Sequence, residues 1–216
     1  QWTIQYPSLV KNCIVIAAAP KLTAQNIAFN EVARQAIMKD PNWHDGNYIE
    51  KGVVPAQGLS LARMLGHITY LSDESMGEKF GRELKQAKLN FNYDVEFQIE
   101  SYLRYQGEKF VTGFDANTYL LMTKSLDYFD PIKDFGTSLK EIFKSVKSKY
   151  LVVSFTSDWR FPPKRSREIV KLLLDNEKDV SYSEINSEGG HDAFLMDNED
   201  YFGVMKSFIN EVNNGI

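Results

Sequence analysis

Two hydrophobic rhythms alternate along this chain. Cys13–Ala18 and Tyr150–Phe155 are nearly continuous apolar runs, the pattern of parallel strands covered on both faces. Val180–Ile185 is a third strand-like run. Elsewhere apolar residues recur at helical spacing. Ala24, Ile27, Ala28, Val32 and Ala36 form one stripe, and Leu61, Met64, Leu65, Ile68 and Leu71 another. Tyr201, Val204, Met205, Phe208, Ile209 and Val212 form a third, near the end of the chain. Helices are also predicted over 94–105 and 115–127, opened by Asp94 and Asp115 as caps. Two more are predicted over 139–146 and 163–174, and Pro162 and Pro163 suit the first turn of the latter. Residues 1–10 read as the end of a helix, and the polar stretch 72–93 reads as loop or weak helix.

The tail runs strand, helix, strand, helix, which implies a parallel α/β sheet. Cys13–Ala18 reads as a central strand of that sheet. The stretch before the second strand is too long and too helical for a simple crossover. The expected organisation is therefore threefold. Residues 1–20 hold a helix end and a core strand, 21–148 form a mostly helical insertion or lid, and 149–216 form the C-terminal core.

Composition narrows the partners. The net charge is −4, and basic residues are interleaved with acids, as at Lys140, Glu141, Lys144, Lys147 and Lys149. Nucleic acids and anionic membranes call for clustered Lys and Arg, so neither is expected. No apolar run approaches the roughly 18 residues of a membrane-spanning helix. The single cysteine, Cys13, excludes an intramolecular disulfide and reads as a small buried hydrophobe. A cytoplasmic protein is the expectation. His44 and His67 lie far apart without paired-histidine spacing, so no metal site is expected.

The chemistry points to Asp158 and His191. Asp158 closes the apolar strand, and His191 follows the next strand in Gly189, Gly190, His191, Asp192. An acid and then a histidine, each in a loop after a strand with one helix between, is the second half of a Ser…Asp…His triad in an α/β-hydrolase. The triad serine belongs on a strand–turn–helix elbow upstream, and none is found. Gly58, Leu59, Ser60, Leu61, Ala62 nearly fits G-x-S-x-G, but Pro55 interrupts the short run before it, so Ser60 reads as a helical residue. Ser157 has no glycine turn around it. The expectation is a C-terminal fragment of a serine-dependent acyl-transfer enzyme, lacking the nucleophile elbow.

A more specific resemblance lies in the insertion. Tyr102, Leu103, Arg104, Tyr105, Gln106, Gly107, Glu108, Lys109, Phe110, followed by Phe114, Asp115, Ala116, Asn117, Thr118, Tyr119, Leu120, resembles the lid of the homoserine O-acetyltransferase family. The segments 58–65, 123–127 and 189–195 resemble the same family, and the likeness spans essentially the whole chain. It implies an α/β-hydrolase fold with a helical lid and a homodimer formed through lid helices. It also implies transfer of an acetyl group from acetyl-CoA, in some members succinyl, to the hydroxyl of L-homoserine in methionine biosynthesis. The route is a ping-pong Ser-His-Asp mechanism with no bound cofactor. Asp158 resembles the triad acid and His191 the base. Arg63 resembles the arginine that grips the homoserine carboxylate, Tyr70 a tyrosine of the substrate pocket, and Asp192 the carboxylate facing the substrate amine. Gly113 stands where members commonly carry Arg. Gln1 to Pro7 resembles the end of the helix after the elbow, so the nucleophile would precede Gln1 and the fragment alone would be inactive.

Acetyl is the favoured donor on this reading. Rival expectations are a serine or homoserine O-succinyltransferase, an α/β-hydrolase esterase, and a non-catalytic module that only self-associates.

Overall fold

The computed structural model describes residues 1–215. The chain forms two compact units: Gln1–Lys21 together with the chain from Phe129 onward, and Leu22–Tyr128 between them. In chain order the elements are α1 (Trp2–Gln5), β1 (Asn12–Ile16), α2 (Ala24–Met38), α3 (Ala56–Tyr70), α4 (Asp73–Phe80), α5 (Gln98–Val111) and α6 (Ala116–Tyr128). They continue with α7 (Pro131–Phe135), α8 (Leu139–Lys144), β2 (Lys149–Phe155), α9 (Pro163–Leu174), β3 (Val180–Ile185) and α10 (Glu199–Asn213).

The first unit is a parallel sheet of order β1-β2-β3 between helical layers. Alternate side chains of a strand face opposite ways, and β2 uses both faces. Leu151, Val153 and Phe155 pack with Ile185, Tyr201 and Phe208, so α10 covers one side. Tyr150 and Val152 pack with Ile142, Phe143, Val146, Ile169 and Leu173, so α8 and α9 cover the other. Every residue from Tyr150 to Phe155 is buried, which is why this run carries no polar alternation. β1 pairs with β2 alone among the described residues, so the strand read as central is an edge of this sheet.

The insertion is shorter than the sequence pattern indicates. It closes at Tyr128, not near 148, because Ile142, Phe143 and Val146 belong to the core beneath β2.

The second unit is helical and α3 runs through its centre. Glycine lets neighbouring helices approach closely. A Cβ at Gly58 would overlap the Ala36 carbonyl of α2, and one at Gly107 would overlap the Ser60 hydroxyl. The α2–α6 contact is polar. Arg34 Nη2 lies 2.8 Å from Asp127 Oδ2, with side chains 3% and 7% exposed, and Asn30 donates to Asp127 Oδ1 at 2.8 Å. Asp115 caps α6 through the Thr118 N–H at 2.6 Å, as expected. Asp94 caps nothing here: α5 starts later, and the Glu100 carboxylate accepts from the Phe97 and Glu96 N–H groups. The 72–93 stretch contains the regular helix α4, capped by Ser72 on the Ser75 N–H.

His67 of α3 is buried, and its Nδ1 lies 3.1 Å from the Tyr102 hydroxyl of α5. Burial, then the charges of Arg63 and Lys79, push its pKa from 6.5 down to about 4. The unfolded chain therefore binds more protons between these two values. Stability from the neutral imidazole is full above about pH 6.5 and is lost as pH falls towards about 4. The expected loss across that window is on the order of 2 kcal/mol. Urea unfolding at pH 7.5 and 4.5 checks it: His67→Gln should flatten the pH dependence, and an unchanged slope would contradict it.

Candidate active site

β2 ends at Phe155 and the chain turns at once, the Asp158 N–H donating to the Phe155 carbonyl at 3.2 Å. Asp158 is only 1% exposed. A carboxylate buried this deeply must be matched by donors. Oδ1 accepts from the Phe161 N–H at 2.8 Å. Oδ2 lies 2.8 Å from His191 Nδ1.

His191 follows β3 in the 3-10 turn Gly190–Leu195. Its ring lies between Phe161, at 5.0 Å between centroids, and Phe194, at 5.6 Å. Adjacent parallel strands place their carboxyl ends on one edge of the sheet, where open α/β folds carry their sites. Side chains then pin the two loops together. The Ser187 N–H donates to Thr156 Oγ1 at 3.0 Å, and the Gly190 N–H donates to Ser157 Oγ at 2.9 Å. Gly190 has φ +70°, where glycine carries no Cβ penalty. A Cβ at Gly189 would meet Met196 Sδ at 2.7 Å and Ala193 Cα at 3.1 Å. The positive φ at Gly190 is the feature of this loop that calls for glycine as the chain brings the imidazole down onto Asp158.

The chemical capacity of the pair follows from its geometry. With the Nδ1 proton donated to a buried carboxylate, Nε2 is the basic nitrogen. The carboxylate holds that tautomer and stabilises the imidazolium formed when Nε2 takes a proton. Such a pair activates a hydroxyl as a nucleophile. Asp192 is the next residue of the turn and is half-buried.

Arg63 and Tyr70 belong to the helical unit, two turns apart on α3. The Arg63 guanidinium lies over the Tyr70 ring at 5.7 Å and over the Phe110 ring at 4.7 Å, and Tyr70 meets His67 edge-on. Ser60, the near match to an elbow serine, sits inside α3 beneath Gly107.

The profile of the alpha/beta hydrolase fold matches residues 1–197. The chain belongs to the alpha/beta hydrolase fold family. Among its curated relatives, homoserine O-succinyltransferase of Hydrogenovibrio crunogenus is 63% identical over 99% of this chain and 56% of its own length. That of Nitrosospira multiformis is 60% identical over 98% of this chain and 56% of its own. The chain thus spans about half the length of the curated relatives it matches. Among solved structures, homoserine O-acetyltransferase from Bacillus anthracis superposes with a TM-score of 0.80 at 23% identity, covering 89% of this chain and 51% of that one, a likeness of fold.

In this hydrolase unit the sequence pattern found the acid and the histidine but not the groups that hold them. The Phe161 N–H and the Ser157–Gly190 bond are backbone-level features. Only Asp158, three residues ahead of Phe161 at a proline-marked helix entry, carried a signal: that spacing suits a side-chain-to-backbone bond. Among the described residues no group of three His, Cys, Asp or Glu could hold a metal ion. No described helix is long and apolar enough to cross a membrane.

Proposed function

We propose that Asp158 and His191 are the acid and base of a Ser-His-Asp acyltransferase that moves a succinyl group from succinyl-CoA to the side-chain hydroxyl of L-homoserine. The observation that carries this reading is the buried 2.8 Å contact between Asp158 Oδ2 and His191 Nδ1 at the ends of adjacent strands. The attacking serine belongs, on this reading, to the part of the relatives that this chain does not span. Its proton passes to His191 Nε2 as the oxygen attacks the thioester carbonyl. The CoA sulfur then leaves with that proton. Homoserine repeats the cycle: Nε2 takes its hydroxyl proton, the alkoxide attacks the acyl-enzyme, and the serine leaves reprotonated.

Arg63 is the group for the homoserine carboxylate, because guanidinium offers a two-pronged fork. Tyr70, whose ring lies 5.7 Å from the Arg63 guanidinium, is assigned to the same substrate, and Asp192 is assigned to its ammonium. A homodimer through the helical unit remains part of the proposal.

The donor departs from the sequence expectation. Acetyl was favoured there, whereas the relatives at 63% and 60% identity are named for succinyl transfer and the acetyltransferase structure is 23% identical. In a full-length protein carrying these residues, kcat/KM for succinyl-CoA with L-homoserine should exceed that for acetyl-CoA by roughly tenfold or more, the discrimination that one well-matched charged group supplies. CoA release measures it, and a preference for acetyl-CoA would overturn the donor assignment. Residues 1–216 expressed alone should turn over neither donor.

A further inference from the structure

The backbone ladder between β2 and β3 stops short of the Asp158–His191 pair. Its last bond is the Thr156 N–H donated to the Ile185 carbonyl at 3.0 Å. Residues 186–189 then lead, outside any helix or strand, to the turn that opens at Gly190. Backbone N–H groups in such a loop need other acceptors, and hydroxyls supply them. Thr156 Oγ1 accepts from the Ser187 N–H at 3.0 Å, Ser187 Oγ from the Gly189 N–H at 3.2 Å, and Ser157 Oγ from the Gly190 N–H at 2.9 Å. Three consecutive residues after β2 therefore each reach one point of the opposite loop. Thr156 meets Ser187, Ser157 meets Gly190, and Asp158 meets His191.

The two hydroxyl rungs are not equivalent. Thr156 is exposed, so water can take over its bond. Gly190 is buried and Ser157 half-buried. The Gly190 N–H also belongs to the residue directly before His191, at the φ of +70° on which the turn pivots. The rings of Phe161 and Phe194 flank the imidazole and Asp158 holds Nδ1, which governs how the ring is tilted. The Gly190 peptide governs where the ring is attached.

We propose that Ser157 is a positioning residue for the base: its hydroxyl fixes the Gly190 peptide and thereby the place from which His191 presents Nε2. The inference rests on the acyl-transfer reading for the reaction that Nε2 serves. Ser157 touches no reacting atom and acts through geometry alone. Without Oγ the buried Gly190 N–H has no acceptor, and the peptide must turn or shift to find one. A displacement of about 1 Å at a catalytic group costs on the order of 10²-fold in rate.

Steady-state kinetics and ¹H–¹⁵N NMR of the His191 imidazole, both in a full-length protein carrying these residues, test the proposal. Ser157→Ala should lower kcat for acyl transfer by roughly tenfold to a hundredfold. KM for homoserine and for the acyl-CoA should change by less than about twofold, the split expected when no substrate contact is lost. The Nδ1 proton resonance of His191 should shift and exchange faster with water. Ser157→Thr keeps an acceptor oxygen and should restore both readouts. Ser157→Cys has nearly the shape of serine but a weakly accepting sulfur, and should lower kcat by roughly tenfold. It carries the test if the alanine variant does not fold.

A kcat within about twofold of the parent in the alanine or cysteine variant would overturn the proposal. So would a raised KM at unchanged kcat, which would put the hydroxyl on a substrate, or a His191 resonance that ignores the substitution. Failure of the reaction assignment reads differently. If Ser157→Ala moves the His191 resonance but the parent transfers no acyl group, the positioning stands and the assignment falls. If the parent transfers acyl groups, loses this with Asp158→Asn and tolerates Ser157→Ala, the assignment stands and the positioning falls.

Discussion

Asp158→Asn in a full-length protein is expected to lower kcat for acyl transfer by roughly 10⁴-fold while leaving the fold intact. The reason lies in the two partners of the carboxylate. Oδ1 accepts from the Phe161 N–H and Oδ2 faces His191 Nδ1, each at 2.8 Å. An amide in this place has one acceptor and one donor end. Its oxygen must stay with the Phe161 N–H, because the reverse orientation sets two donors against each other at a buried site. The NH2 group then points at Nδ1, which must become the acceptor. That forces the imidazole proton onto Nε2, the nitrogen that has to receive the nucleophile's proton. Steady-state CoA release measures the loss, and a matching thermal midpoint shows that the fold survives. A drop of less than tenfold would mean that the acid does not set the tautomer.

The second large effect concerns stability. Asp127→Ala is expected to cost about 3–5 kcal/mol, because it strands the Arg34 guanidinium in a buried site. Arg34 keeps only its contact with Glu31, at 3.0 Å on a side chain that is 48% exposed, and Asn30 loses its acceptor as well. The Arg34 Nη1 group already lacks a hydrogen-bond partner among the described residues, so the site has no spare acceptor. Removing both charges, Arg34→Met with Asp127→Leu, should recover most of the loss, since a packed apolar pair avoids the desolvation of two ions. Chemical unfolding of the single and double variants supplies the comparison. A cost below about 1 kcal/mol for the single variant would show that the pair is solvated in solution.

The elements that the chain announces are those whose own burial leaves a simple linear pattern. β2 is buried enough to read as an apolar run, β3 alternates Val180 and Tyr182 with polar residues before the buried Ile185, and α9 and α10 each bury one stripe, so their bounds follow closely from periodicity. α5 does not begin at Asp94, because Glu100, inside the helix, supplies the cap that the sequence assigns to a flanking residue. α7 and α8 look like more of the insertion in sequence. Packing of Ile142 and Phe143 against Tyr150 and Val152 assigns α8 to the sheet, and α7 falls in the same unit.

The site divides in the same way. Asp158 and His191 were legible because a strand end fixes where a loop residue can point. The Gly190 N–H bond to Ser157 Oγ was not, because it depends on how two loops meet, a tertiary contact without a linear signature. The Tyr48 hydroxyl, which bonds Asp115 and accepts the Ala116 N–H at 3.1 Å, is another such long-range contact.

On the proposed mechanism Asp158 holds His191 with its proton on Nδ1, ready to work through Nε2. ¹⁵N NMR of the His191 imidazole in this chain at neutral pH reads that directly. A protonated Nδ1 and an unprotonated Nε2 are expected, with the proton moving to Nε2 in Asp158→Asn. A proton already on Nε2 in the parent chain, or a spectrum indifferent to the substitution, would contradict it.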